Sequence, residues 1–467
     1  MGFNGANVSF SRQEKTATVG LAGIYSLRML GLFMFLPVFS LYAPQQYLYT
    51  TPFLIGLAVG VYGLGQAVLQ IPFGLVSDRF GRKPVIYVGL LLFALGGMVS
   101  ALSESIYGVV LGRALQGCGA IAAVTMALLA DLTQEENRTK AMAAIGMSIG
   151  LSFMLAIVLG PIMTERFGLS GVFWLTSGFA VLGMWVCYAW VPTPTTVLKN
   201  HDSLPVLDQF KSVSSNAQLL RLNFSIFVLH LILTAFFVVL PPVLKQYGGL
   251  EGREHTYIYL PVMLLSFMAM LPLMILAEKK KKIKNVFQWA ILIMLMAMLL
   301  LALDYKRFSS DIVALFLFFF AFNLLEALLP SLVSKMAPAG SRGTAMGLYS
   351  TGQFVGAFCG GMVGGGLSGA MGPGAVFMFL SVLILVWFYV TLSMEPPKFL
   401  QSQVIKFSPL MGVESKKASL SAVEALLKIK GVEEAVVLGE EGLAYLKVDK
   451  SLLDERALAQ FTLVERG

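Results

Sequence analysis

The sequence predicts an all-α membrane protein of twelve transmembrane helices in two six-helix bundles, followed by a small α+β domain at the C-terminus. Three observations point there. Of the 467 residues, 57% are hydrophobic and only 13% charged, against roughly 25% charged in a soluble globular chain. The apolar residues gather into runs of about 20 or more, the length an α-helix needs to cross about 30 Å of hydrocarbon. The runs also repeat: R-T-K-A-M-A at 138–143 returns as R-G-T-A-M-G at 342–347, an offset of 204, and Asp78-Arg79 returns as Glu278-Lys279, an offset of 200. Two echoes at nearly one offset indicate a duplicated bundle.

The first bundle, residues 1–191, holds apolar spans near Thr18 to Tyr42, Phe53 to Val76, Val85 to Leu102, Ile106 to Ala130, Ala141 to Met163 and Val172 to Val191. Residues 192–218 are polar, with Pro192, Pro194 and Pro205 and the charges Lys199, Asp202, Asp208 and Lys211. That stretch is too long for an ordinary loop in a compact bundle and reads as a cytoplasmic linker. The second bundle, residues 219–396, holds spans near Leu219 to Leu244, Tyr257 to Ala277, Val286 to Leu303, Ile312 to Val333, Ala345 to Met371 and Ala375 to Met394.

After Glu395-Pro396-Pro397 the composition becomes mixed, and residues 403–467 are enough for a small domain. Val404 to Phe407 reads as a strand. Leu420, Val423, Leu426 and Leu427 at helical spacing give an amphipathic helix, stopped by Gly431. Val436 to Leu438 and Leu443 to Val448 read as a hairpin about Gly439-Glu440-Glu441-Gly442, and Asp454 to Phe461 as a second helix. This β-α-β-β-α order resembles the ferredoxin-like fold of heavy-metal-associated domains. Those domains grip metal with C-x-x-C in the first loop. The loop here, S-P-L-M-G-V-E-S-K-K, has no cysteine or histidine to serve a soft metal, so no metal site and no cofactor are expected.

Charge placement orients the chain. Seventeen Lys and Arg fall on one side of the spans, including Arg79, Arg82, Lys83 and the run Lys279 to Lys282, and five on the other, Arg166, Lys245, Arg253, Lys306 and Arg307. By the positive-inside rule both termini are cytoplasmic. The net charge of +8 is explained by these loops and needs no nucleic acid. Cys118, Cys187 and Cys359 lie in apolar stretches without metal-ligand spacing and read as small buried hydrophobes. No Lys- or Arg-led apolar core precedes residue 19, so no cleaved signal peptide is expected. Ser, His and acidic residues form no nucleophile pattern and no phosphate-binding loop is present, which argues against an enzyme.

The second and third spans are joined by G-L-V-S-D-R-F-G-R-K at 74–83, four charges in about two turns. With Gly74, Asp78, Arg79, Gly81, Arg82 and Lys83 in place, the string resembles the signature G-x-x-x-D-R-x-G-R-K/R of the major facilitator superfamily. In the fourth span L-G-R-A-L-Q-G-C-G-A at 111–120 resembles the helix 4 motif of that superfamily's drug/proton antiporters, with Arg113, Gln116 and Gly117 in motif positions. The fifth span ends in Gly160-Pro161, as in the antiporter motif G-x-x-x-G-P-x-x-G-G, but carries Ala156 for the leading Gly and Thr164-Glu165 for the trailing pair. The resemblance covers about residues 16–396. It implies a major facilitator fold and a proton-driven exporter of small amphiphilic molecules that works by alternating access, in the bacterial inner membrane. Its partners are then a small-molecule substrate, protons and the lipid bilayer, with a cytoplasmic partner for the C-terminal domain. A transport-like sensor signalling through that domain and a facilitative uniporter are the competing readings.

Polar residues inside the spans mark the candidate cavity: Arg28, Gln66, Gln70, His230, Asn323, Glu326 and Gln353, together with Arg113. An Arg at bilayer depth costs about 2.5–3.5 kcal/mol even on insertion scales, so each must face protein or water. Mutual pairing across the bundles is the bland expectation, and His230 is more often an interhelical hydrogen-bonding residue than a functional one. Arg stays protonated, which leaves Glu326 as the acid placed to carry a proton, with Asp131 at a span end as the fallback. Asp78 is expected near the N-terminal end of helix 11, around Gly343, in one conformational state. Glycines 356, 360, 361, 364, 365, 366 and 369 in that helix, with Gly146 and Gly150 in the fifth, offer small faces for close approach or sliding.

Overall fold

Among the described residues eleven helices are long and apolar enough to cross a membrane, and one of them, Lys140–Ala189, is 50 residues long. At 1.5 Å per residue that is about 75 Å, more than two hydrocarbon thicknesses. It turns at Gly168, whose φ of 67° is a left-handed conformation that glycine adopts without cost. Twelve crossings result. The structure, a computed structural model, describes residues 10–193, 206–252, 254–338, 341–397, 401–406, 416–438, 443–449 and 452–461.

In chain order the elements of the first half are α1 (Arg12–Met34), α2 (Leu36–Gln46), α3 (Pro52–Phe80), α4 (Arg82–Leu102), α5 (Ile106–Cys118), α6 (Ala122–Asp131) and α7 (Glu135–Ala189). Two expected spans are broken. The first crossing divides at Phe35, because Pro37 in the opening turn of α2 has no N–H to continue the helix. The fourth divides at Gly119–Ile121, between α5 and α6. The region read as a linker contains a short helix, α8 (Val206–Ser215), with Val213 buried against the core; Pro194, Lys199, Asp202 and Pro205 lie outside the described residues.

The second half comprises α9 (Ala217–Gly248), α10 (Glu254–Lys279), α11 (Ile283–Asp304), α12 (Phe308–Met336), α13 (Arg342–Met371) and α14 (Pro373–Leu392). The C-terminal domain follows as β1 (Gln401–Lys406), α15 (Lys416–Leu427), β2 (Val432–Leu438), β3 (Leu443–Val448) and α16 (Glu455–Ala459). Its antiparallel sheet has the order β1-β3-β2. Ile405, Leu426, Val432, Leu446 and Leu458 are among the residues of its core. The hairpin turn at 439–442 and most of the first loop, 407–415, lie outside the described residues.

The two halves meet along α13. A Cβ on Gly60 of α3 would lie 2.7 Å from the Phe358 carbonyl oxygen, and one on Gly56 would run into that of Gly361. On its other side α13 presses Gly356 and Gly360 against the carbonyls of Phe227 and Leu231 in α9. Lipid tails are as apolar as Leu, so helices in a bilayer are held by such close van der Waals packing. Gly146 and Gly150 differ: a Cβ there would meet nothing within 4 Å, so they pack on nothing in this state.

Gly60→Ala should therefore force backbone apart and cost about 1–3 kcal/mol, read as a lower thermal midpoint in detergent. Gly366→Ala, whose Cβ would touch only Phe53 at 3.9 Å, should leave the midpoint unchanged.

Candidate functional site

The glycine seam closes the molecule at one end. There Ser40 of α2 donates to the Phe237 carbonyl at 3.0 Å and Thr256 of α10 donates to the Val158 carbonyl at 3.1 Å. An aromatic layer lies beside these contacts. Phe33 packs edge-on against Phe153 of α7 at 4.9 Å, and Phe153 reaches across to Phe322 of α12 at 5.8 Å. The opposite end, which carries residues 74–83, is open: a Cβ on Gly74 or Gly347 would meet nothing within 4 Å, and Met147 is 71% exposed.

α12 runs from the closed end toward the open one, so Glu326, one turn past Phe322, stands on the open side of the aromatic layer. Asn323 and Glu326 share a face of α12 at i, i+3, as Tyr349 and Gln353 do on α13 at i, i+4. The Gln353 amide nitrogen is 2.7 Å from His230 Nε2. An amide N–H can only donate, so this ring nitrogen accepts. Glu326 Oε2 is 3.9 Å from the same nitrogen, beyond hydrogen-bond reach, and the Glu326 side chain is 37% exposed. Glu326 Oε2, Asn323 Nδ2 and the Tyr349 hydroxyl are all shut off from solvent without a hydrogen-bond partner. Each such group ordinarily costs about 1–3 kcal/mol, so each calls for an explanation that packing alone does not give.

The facing wall belongs to the first half and is built on the break between α5 and α6. A helix end leaves carbonyls without intrahelical donors, and two buried side chains take them. Gln66 donates to the Gly117 carbonyl at 2.7 Å, and Arg28 Nη2 donates to the Gly119 carbonyl at 2.9 Å and to the Tyr62 hydroxyl at 2.8 Å. Gly117 lets α5 approach α3 this closely, since a Cβ would run into the Tyr62 carbonyl. Arg113 donates to Gln116 Oε1 at 2.8 Å and lies over the rings of Phe35 and Tyr62, 4.4 and 5.0 Å from their centroids. Contacts of that kind are worth about 0.5–2 kcal/mol each, comparable with the insertion cost of the Arg. Gln70 is buried with its Oε1 unpartnered.

The expected ion pairing across the bundles is absent: among the described residues neither Arg28 nor Arg113 is paired with a carboxylate, and Glu326 is paired with no Arg. Rings and carbonyls of the first half take up the Arg113 guanidinium and Arg28 Nη2, while Arg28 Nε and Nη1 are buried without a hydrogen-bond partner.

At the open end, Gly81 joins α3 to α4 at φ 92°. Arg82 turns back to pair with Asp78, bonds Ser77 Oγ at 2.7 Å and pairs at 3.1 Å with Asp131, whose side chain is fully buried. Asp78 is thus engaged by Arg82 here, and Asp131, the fallback proton carrier, serves as an ion-pair partner. Arg79 lies over Phe80 at 5.5 Å, and Lys83 is half-buried. The second half shows the same clip with the charges exchanged: Glu278 of α10 pairs at 2.7 Å with Lys335 of α12, and Lys335 follows Asp131 by the same offset of 204 as the sequence echo.

Sequence reasoning missed Tyr62, Tyr349, Phe153 and Phe322, which no motif marks. It also missed Glu14, which closes a capping box with Ser11 and accepts from the Gln134 backbone N–H at 2.8 Å. The capping-box spacing S-x-x-E at 11–14 was the available signal.

Two bundles closed at one end around a polar site at membrane depth define a multi-pass membrane transport protein. The chain matches the Major Facilitator Superfamily over residues 21–361 and belongs to that family. It is 45% identical over 451 residues to the Inner membrane transport protein YajR of Escherichia coli (strain K12), covering 96% of this chain and 97% of that protein. It is 36% identical over 348 residues to an uncharacterized transporter of Buchnera aphidicola subsp. Acyrthosiphon pisum, covering 74% of this chain and 89% of that one. Among solved structures, a bacterial homolog of the human lysosomal transporter Spinster, inward-facing and occupied, superposes with a TM-score of 0.67 at 13% identity, over 82% of this chain and 97% of that one; that likeness concerns the fold.

The Arg82–Asp131 pair yields a stability prediction. Asp131→Ala should cost about 3 kcal/mol, the low end for a broken buried pair because Ser77 and Asp78 still hold Arg82. The Arg82→Ala/Asp131→Ala double variant should recover part of that loss in the same thermal scan.

Proposed function

We propose that the protein is a proton-coupled exporter of small amphiphilic molecules that alternates access to a site between the two halves. The observation that carries this reading is Glu326, with one oxygen unpartnered at membrane depth, beside His230 and Gln353 and on the open side of the aromatic layer. By the loop charges the open end is cytoplasmic, as are both termini, so this state faces inward. The name of the E. coli relative, an inner membrane transport protein, supports the same membrane here.

In the cycle, Asn323, Tyr349, Gln353 and His230 hold the polar part of a substrate while Phe153 and Phe322 receive its apolar part. Rocking of the halves about the glycine seam closes the cytoplasmic end and brings the wall that holds Arg28 and Arg113 toward Glu326. A carboxyl that alternates between a cation-facing and an apolar setting binds and releases a proton once per cycle. Gln66, Gln116 and Gly117 keep that wall in place.

Residues 74–83 set the balance between states. When the cytoplasmic end closes, Asp78 leaves Arg82 for the N-terminal end of α13, while Arg79, Arg82 and Lys83 fix the loop. A carboxylate at a helix N-terminus is worth about 0.3–1 kcal/mol when exposed and up to about 2 when partly buried, enough to shift a balanced equilibrium several-fold.

Two measurements test this reading. Glu326→Gln in liposomes should retain substrate binding and lose transport driven by an imposed pH gradient; unchanged gradient-driven flux would make Glu326 a structural partner of His230. Asp78→Asn should insert and fold normally yet lose most of its flux, and wild-type flux would remove the motif from the switching step. Substrate-dependent flux itself separates a transporter from a sensor, and its dependence on the pH gradient separates an antiporter from a uniporter.

A further inference from the structure

Ala444, Leu446 and Val448 of the central strand β3 point into the small core of the C-terminal domain, so by strand alternation Lys447 points from the opposite face. Lysine is almost never buried unless paired, yet Lys447 is only 6% exposed. Its ammonium donates to the Lys335 carbonyl at 3.2 Å and, more closely, to the Ala337 carbonyl. Glu434 of β2 lies 3.7 Å from the same Nζ and holds it in place. The two carbonyls belong to the C-terminal end of α12 and to its cap, where acceptors lack intrahelical donors and the helix dipole is negative.

That helix end has further connections. The side chain of Lys335 bonds Glu278 of α10 at 2.7 Å and Ser331 at 2.9 Å. Nine residues back along α12, about 13 Å at 1.5 Å per residue, stands Glu326. Ahead of it the chain passes through the α12–α13 loop into α13, the helix already seamed to α3 at the closed end. The open ends of α3 and α13 are therefore the surfaces that must meet when that end closes.

We infer that the sheet face bearing Lys447 is a docking surface for the C-terminal end of α12 of its own chain, and that the docked domain holds the open end open. The domain grips the rim against which the 74–83 loop must close. This inference rests on the alternating-access reading, and needs neither the proton nor the identity of the substrate.

The test uses the full chain in proteoliposomes with pairs of spin labels, one pair between the domain and α12 and one across the open end at Met147 and Gly347. Lys447→Met removes the charge and suits a buried position, whereas Lys447→Arg keeps the charge; Glu434→Gln loosens the grip without touching Lys447. Lys447→Met should broaden the domain-to-α12 distance and raise the population with a shortened open-end distance roughly two- to fivefold, the size of one cation at a helix C-terminus. Glu434→Gln should do so more weakly and Lys447→Arg should resemble the parent. An unchanged domain-to-α12 distance in both Lys447→Met and Glu434→Gln overturns the docking, and a freed domain with an unchanged open end overturns its hold on the gate. A failure of alternating access itself would appear separately, as a parent open-end distance that stays single under an imposed pH gradient.

Discussion

Backbone-to-backbone contact along α13 is the constraint on which the rest of the structure depends. Glycines on two sides of one helix let it lie directly against α3 of the first half and α9 of the second, and this seam fixes the halves at one end. The opening at the other end and the position of the aromatic layer follow from it. So does the placement of Glu326, because α12 enters the site from the closed end and presents its acid one turn beyond Phe322. Backbone contacts lack the rotamer freedom of side chains, so the seam resists substitution even by a methyl group.

The charges are placed unevenly about that seam. The first half holds two guanidiniums, set against aromatic rings and carbonyls freed at a helix break, and the second holds Glu326, a carboxyl with an unpartnered oxygen at the site. Two walls of this kind do not neutralise each other while the open end is splayed. The hydrogen bonds of Arg28 and Arg113 stay within the first half. The rim clips Arg82–Asp131 and Glu278–Lys335 each join helices within one half.

The helices and their grouping were legible because hydropathy reports what a bilayer demands of each span. The stretch 74–83 was legible because four charges between two apolar runs leave a chain few options, and the glycines of α13 because their spacing follows helical periodicity. The breaks at Phe35 and at Gly119–Ile121 were hidden, since both lie in runs apolar enough to read as continuous helix. The cross-bundle ion pairs expected for Arg113 and Glu326 failed for a related reason: rings and main-chain carbonyls, which a charge count ignores, satisfy the guanidinium. Asp131 read as a span-end acid that could carry a proton, because its partner Arg82 is 49 residues away. Nothing in the sequence singles out Lys447 within the strand 443–448, and only the tertiary position of α12 reveals its partner.

The account stands or falls on whether the two ends move in opposition. Pulsed dipolar distances can decide this in a chain whose Cys118, Cys187 and Cys359 are replaced, with labels at Met147 and Gly347 across the open end and at Leu102 and Leu303 across the closed one. With a pH gradient imposed across proteoliposomes, the account predicts a second population in which the first distance shortens and the second lengthens. If both distances shift in the same direction, or only one of them responds, the halves do not rock about the α13 seam and the alternating-access account is contradicted.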